Sequence, residues 1–274
     1  MKRGPIMRSE ALHPGRVLAV ARNTFREAVR NRAFLGLLLF SVAFILSSIL
    51  LSALAVVGEG ARVVVDFGFF AVALFAVATA IVMGALLVYK ELEKKTIYTI
   101  VSKPIHRYEF ILGKYLGLLT ILVAQVVALG VIWALVILTR DGTVTFEHAK
   151  GMLLVVMEVG LIAAVAMMFS AASNPMLTGL FTFGLFIVGR LVYLIEEMLQ
   201  APKGLFVDNP VARAFGEVVV AVFPDLSVFD VSQQVLLGVP VAPSYLLHAF
   251  VYASAYALFF LVVALFAFER RDFT

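Results

Sequence analysis

Six stretches of this chain are almost wholly apolar over at least about 20 residues, the length a helix needs to cross a bilayer. They cover 33–57, 67–89, 115–139, 151–172, 175–195 and 245–268. Four hold no charge, the fourth in order holds only Glu158 and the fifth only Arg190. Strands of a membrane barrel would alternate apolar and polar residues, which these runs do not. The expected fold class is therefore an all-α membrane protein with six transmembrane helices in one domain over 1–274. Composition points the same way. Charged residues make up 15% of the chain, against about 25% in a soluble domain, and mean hydropathy is +1.03. The first run starts near Ala33, is about twice as long as the apolar part of a secretory signal and lacks a small-x-small cleavage site, so it is read as a retained span.

Lys and Arg placement sets the expected orientation. Residues 1–33 hold Lys2, Arg3, Arg8, Arg16, Arg22, Arg26, Arg30 and Arg32, and 90–114 holds Lys90, Lys94, Lys95, Lys103, Arg107 and Lys114. With Arg270 and Arg271 in the tail, this side carries sixteen, against five on the other: Arg62, Arg140, Lys150, Lys203 and Arg213. An even number of spans returns both termini to the basic side. Both are expected in the cytoplasm of a cell whose inner (plasma) membrane the chain crosses. There is no cysteine, so thiolate chemistry and disulfides are excluded.

Ahead of the first span, residues 15–32 have helical periodicity. Val17, Leu18, Ala21, Phe25, Ala28 and Val29 share one side, and Arg16, Arg22, Asn23, Arg26, Glu27 and Arg30 the other. A basic amphipathic helix of this kind lies in the membrane interface, its arginines among anionic lipid headgroups. Arg16, Arg22, Phe25, Arg26 and Arg30 are its interface candidates. It reads either as a topology anchor or as an elbow that tilts the first span and packs near the 90–114 hairpin.

That hairpin, with its flanks, reads "YKELEKKTIYTIVSKPIHRYEFILGKYLG" from 89 to 117. Residues 90–101 form about three helical turns, with Glu91 and Lys95 spaced i,i+4. Pro104 disfavours helix at Lys103, and a new helix begins at His106. The two-signed, aromatic-bearing segment is expected to cross the cytoplasmic mouth of the bundle and to meet a cytoplasmic partner.

Charges within spans are costly and usually paired. At 1.5 Å per residue, Glu158 lies roughly 10 Å and Arg190 roughly 8 Å below the same outer end. A three-residue turn, Ser173 to Pro175, makes their helices antiparallel neighbours, so an intramembrane ion pair is expected. It is either a lock between helices or a polar point on a transport path. The one long connection, 196–244, is expected outside. Asn209-Pro210 should start one short helix and Asp225 or Ser227 a second ending at Gly238. Glu196, Glu197, Asp208, Glu217, Asp225 and Asp230 outnumber Lys203 and Arg213 there, which reads as a wetted face or as a guide for a cationic cargo.

The 89–117 stretch resembles the cytoplasmic loop of type-2 ABC exporter permeases, with its acidic-basic run, Lys-Pro and aromatic–Gly-Lys order. "ARNTFREAVRNRAF" (21–34) is similar to their elbow helix. "FPDLSVFDVSQQVLLG" (223–238) and "ERRDF" (269–273) look like the NosY-like branch. The resemblance implies a coupling helix in which Glu91, Glu93, Lys94, Lys95, Thr96, Tyr98 and Thr99 face a separate ATPase subunit. It also implies a second permease copy, and ATP and Mg bound by the partner rather than by this chain. No P-loop exists: Gly113-Lys114 lacks the upstream glycine and is followed by tyrosine.

Other classes fit less well. Glu196-Glu197 resembles the glutamate pair of CAAX-type intramembrane proteases, but Ala201 stands where their arginine belongs, and His13, His106, His148 and His248 are scattered. Met152, Met157, Met167 and Met168 suit ordinary helix packing, so no metal site and no catalytic residue is expected, and no nucleic acid partner. A non-transporting anchor or channel-like scaffold for a cytoplasmic partner is the alternative function.

Overall fold

The computed structural model describes residues 13–56, 58–93, 106–140, 142–201, 204, 206 and 209–269, except for the side chains of 87–93 and 269. Most of the described residues are helical and none of them is in a strand. A first helix, α1 (Pro14–Val29), starts on Pro14, whose missing N–H is no loss at a first helical position. Six long helices follow: α2 (Arg32–Ala53), α3 (Gly60–Glu93), α4 (Arg107–Leu138), α5 (Phe146–Ala172), α6 (Pro175–Gln200) and α9 (Pro243–Glu269). Each is long and apolar enough to cross a membrane. Between α6 and α9 lie α7 (Pro210–Val222), a 3-10 turn (Ser227–Phe229) and α8 (Ser232–Leu237).

All six expected spans are present as helices, with different limits. Span one stops at Ala53 rather than 57. Span two begins at Gly60, so Arg62 and Asp66 stand in a helix rather than in a loop. Hydropathy marks where a helix meets apolar surroundings, while backbone hydrogen bonding carries the helix through polar residues as well. The same reason extends α4 back to Arg107, α5 back to Phe146 and α6 on to Gln200. At 1.5 Å per residue, the 34 residues of α3 measure about 51 Å, well beyond a hydrocarbon core of about 30 Å.

Helix α5 is the axis of the bundle. Leu154, Val159, Ile162, Ala163, Ala164, Val165 and Ala166 are fully buried, between α3, α4, α6 and α9. Small residues let backbones approach closely, which is how helices associate without a hydrophobic drive in lipid. A Cβ on Gly84 of α3 would stand 2.5 Å from the Ala166 Cβ of α5. Buried polar side chains are satisfied across helices: Gln125 Nε2 donates to Thr79 Oγ1 at 3.0 Å, and Trp133 Nε1 to the Val64 carbonyl at 3.1 Å. Helices α2 and α6 are the least enclosed and present Leu39, Phe40, Leu50, Leu180, Phe181 and Phe183 outward.

The connection after α6 is tied in rather than merely wetted. Asn209 Oδ1 accepts from Val211 N and Ala212 N, capping α7 as its Asn-Pro start predicts. Asp225 Oδ1 accepts from Ser227 N, but the second short element is split, and Asp230 Oδ1 accepts from Ser232 N at the start of α8. Gly238 closes α8 at φ +66°, a left-handed conformation that costs glycine nothing. Leu226, Phe229, Val231 and Val235 are buried against the bundle. Leu226 N donates to the Gly189 carbonyl of α6, and Tyr245 Oη of α9 to the Val228 carbonyl. Glu147 and Lys150, 2.8 Å apart, bracket Val241, accepting from its N–H and donating to its carbonyl.

Candidate functional site

Two places in the bundle concentrate chemistry. The first is the end where the basic flanks gather. Lys90, Glu91 and Glu93 continue α3 without a break, so 90–93 belongs to that helix rather than to a separate one. Lys94, Lys95, Thr96, Tyr98 and Thr99 lie outside the described residues. The chain resumes at α4, and there one carboxylate serves two helices. Glu109 Oε2 accepts from His106 N at the start of α4, and its Oε1 accepts from His13 N at the start of α1, both at 3.1 Å. The Arg16 guanidinium stands 3.8 Å away. Two helix N-termini carry partial positive charge and free N–H groups, which is what a fully buried carboxylate needs.

Four and eight residues further along α4, Gly113 and Gly117 receive α1. A Cβ on Gly113 would lie 2.6 Å from Val20 Cβ, and one on Gly117 2.5 Å from the Ala21 carbonyl. Between them Lys114, only 2% exposed, reaches Glu27 of α1 at 3.6 Å. Thus α1 has three sides rather than two. Val17, Ala21, Thr24 and Ala28 are buried, chiefly against α4. Leu18 and Val29 are exposed and apolar, and Arg22, Arg26 and Arg30 are exposed and cationic, while Phe25 is half-buried. The two-sided sequence pattern merged the first two sides, because residues facing protein and residues facing lipid are equally apolar. Lys114 was read only as one of the charges on the basic side, and Glu109 was not singled out. The available signals were the capping spacing from His106 to Glu109 and the glycines four apart.

The second place lies toward the other end, between α3, α5 and α6. Arg190 Nη2 stands 2.8 Å from Glu158 Oε1 and donates to Oε2 at 2.9 Å. Its Nη1 donates to Asp230 Oδ2 at 3.0 Å, and the guanidinium lies 5.6 Å from the centre of the Phe186 ring. Glu158 is 1% exposed, Arg190 25% and Asp230 45%. The ion pair expected from equal depth is therefore a triad whose third member comes from the connection after α6. These groups line a cavity of about 540 Å³ together with Asp66, Phe67, Phe69, Phe70 and Phe229. Among the described residues no three His, Asp or Glu side chains come together as metal ligands would. Glu196 and Glu197 are exposed near the end of α6, and His248 is exposed on α9.

No curated protein matches the chain. The family described as ABC-2 family transporter protein matches residues 18–273, which include the polar cavity and the α1–α4 clamp apart from its His13, Arg16 and Val17 end. Six apolar helices without a nucleotide-binding motif, matched to that family over nearly their whole length, make this multi-pass membrane chain a member of the ABC-2 transporter permeases.

Proposed function

We propose that the chain is the membrane subunit of an ATP-driven exporter, working with a separate cytoplasmic ATPase that binds ATP and Mg. Membership of the ABC-2 family implies the ATPase partner. In this reading 90–101 is the coupling element, Glu91 to Thr99 touch the ATPase, and both termini are cytoplasmic in the inner membrane. A second copy, or a paralogue, packs on the exposed faces, and the 223–238 and 269–273 stretches favour the NosY-like branch. Arg22, Arg26 and Arg30 meet anionic lipid.

One arrangement carries the proposal. The helices that flank 94–105 are the two longest of the bundle, α3 and α4, and α4 is fastened to α1 by Glu109, Lys114 and two glycine contacts. A displacement applied between α3 and α4 is thereby delivered to three helices at once, and through α3 and α4 to the axial α5. A non-transporting anchor would need no such linkage.

The test is co-purification with a cytoplasmic ABC ATPase from the same cells. Binding is expected for the wild type and is lost when 91–99 is replaced by Gly-Ser. Retention by the Gly-Ser variant would refute the coupling assignment. Because the chain has no cysteine, single cysteines at Arg22 and Ser227 report sidedness with a membrane-impermeant maleimide. Labelling of intact cells only at 227 is expected, and labelling at 22 would refute the orientation.

A further inference from the structure

We propose that the cavity between α3, α5 and α6 is a binding site for a lipophilic organic cation. Its charge balance is the first reason. Three carboxylates, Asp66, Glu158 and Asp230, face one guanidinium, Arg190. That guanidinium is already engaged by Glu158 and Asp230. Asp66 has no ion-pair or hydrogen-bond partner among the described residues, so the unbalanced charge in the cavity is negative. Both Glu158 oxygens are taken up by Arg190, at 2.8 and 2.9 Å from Nη2, so Asp66 is the carboxylate left for a cationic guest to meet.

The remaining wall selects the kind of cation. Five phenylalanines, at 67, 69, 70, 186 and 229, line the space, and ring faces attract cations that have shed their water. Phe186 already holds the Arg190 guanidinium in this way. A small hydrated metal ion would find too few oxygens at bonding distance. A bulky cation with aromatic or aliphatic substituents fills a volume that falls in the ordinary range for small-molecule sites. An anion of the same shape is repelled.

This site rests on the transporter reading only for its role as cargo site, since occupancy itself needs no ATPase. The test uses the full chain in lipid nanodiscs with radiolabelled tetraphenylphosphonium, and tetraphenylborate as the competitor of matched shape and opposite charge. Saturable binding of the cation is expected, without competition by the borate. Asp66→Asn should weaken binding by about threefold, because the exposed Asp66 attracts a cation only modestly, with an unchanged melting temperature. Asp230→Asn should weaken it in the same direction. Absence of saturable binding, unchanged affinity in Asp66→Asn, or equal competition by the borate would overturn the proposal. None of these results bears on whether an ATPase co-purifies, so the two readings fail separately.

Discussion

Arg190 of α6 grips Glu158 of α5 with one nitrogen, 2.8 and 2.9 Å from the two carboxylate oxygens. The carboxylate is the buried partner, at 1% exposure, and the guanidinium the wetter one, at 25%. Removing the two residues therefore has unequal consequences. Arg190→Leu strands a buried carboxylate and is expected to cost about 3–5 kcal/mol. Adding Glu158→Leu removes the stranded group and should recover most of that loss. Asp230 still loses its partner in the double variant, but at 45% exposure this is worth at most about 1 kcal/mol. Thermal melts in nanodiscs decide the matter. A double variant as unstable as Arg190→Leu alone would show that the pairing is not the source of the stability.

The seat of α1 on α4 predicts a position-specific glycine effect. Gly117→Val drives a side chain into the Ala21 carbonyl and Thr24, which backbone cannot yield cheaply. Gly179→Val on α6 meets nothing within 4 Å. The first variant is expected to melt well below wild type and the second close to it. Trypsin should also cut at the exposed Arg22 and Arg26 faster in Gly117→Val, since α1 is lifted from its seat. Equal cleavage rates in both variants would mean that α1 is held by something other than this contact.

What could be read beforehand follows from how local each signal is. Spans are local, because an apolar run of about 20 residues states its own environment. The Asn209 cap and the Gly238 stop are local too, and both stand where the residues suggest. Glu158 and Arg190 are 32 positions apart, yet the short turn at 173–175 fixes their helices side by side, so depth alone brings the side chains together. Asp230 had no such constraint: nothing in its neighbours says that the connection after α6 folds back onto Gly189. Lys114 was counted as a topology-setting charge, because a lysine beside a span looks alike whether it points to water or to Glu27. Asp66 stands one residue before the second apolar run and so falls outside it, although α3 runs through it.

The Lys114–Glu27 contact predicts a recoverable charge reversal. Lys114 is almost fully buried and also lies 5.8 Å from the centre of the Phe110 ring. Lys114→Glu places a second carboxylate beside Glu27 in a spot with little water, so its yield and melting temperature should fall sharply. Combining it with Glu27→Lys restores opposite signs and should regain part of the loss, with a coupling of about 0.5–3 kcal/mol in a double-mutant cycle. The recovery is partial because the cation–ring contact is not rebuilt. Independent, additive effects of the two changes would remove Glu27 as a partner of Lys114.

Gly189 controls whether the connection after α6 can reach the polar triad. A Cβ there would lie 2.8 Å from Leu226 side-chain atoms and 2.9 Å from the Pro224 carbonyl. The Gly189 carbonyl itself accepts from Leu226 N at 3.0 Å. Leucine can shift, but the Pro224 carbonyl is backbone and moves only with the segment. Gly189→Val is therefore expected to push 224–230 off α6 and to separate Asp230 from Arg190, while Glu158 keeps its partner within the α5–α6 pair. The bundle should still assemble, with a modest fall in melting temperature. The segment should also become more accessible, which a single cysteine at Ser227 would report as faster maleimide labelling than in the Gly189 parent. Labelling at the same rate in both would mean that Tyr245 and Glu147, bonded to the Val228 carbonyl and Val241 N, hold the segment without help from α6.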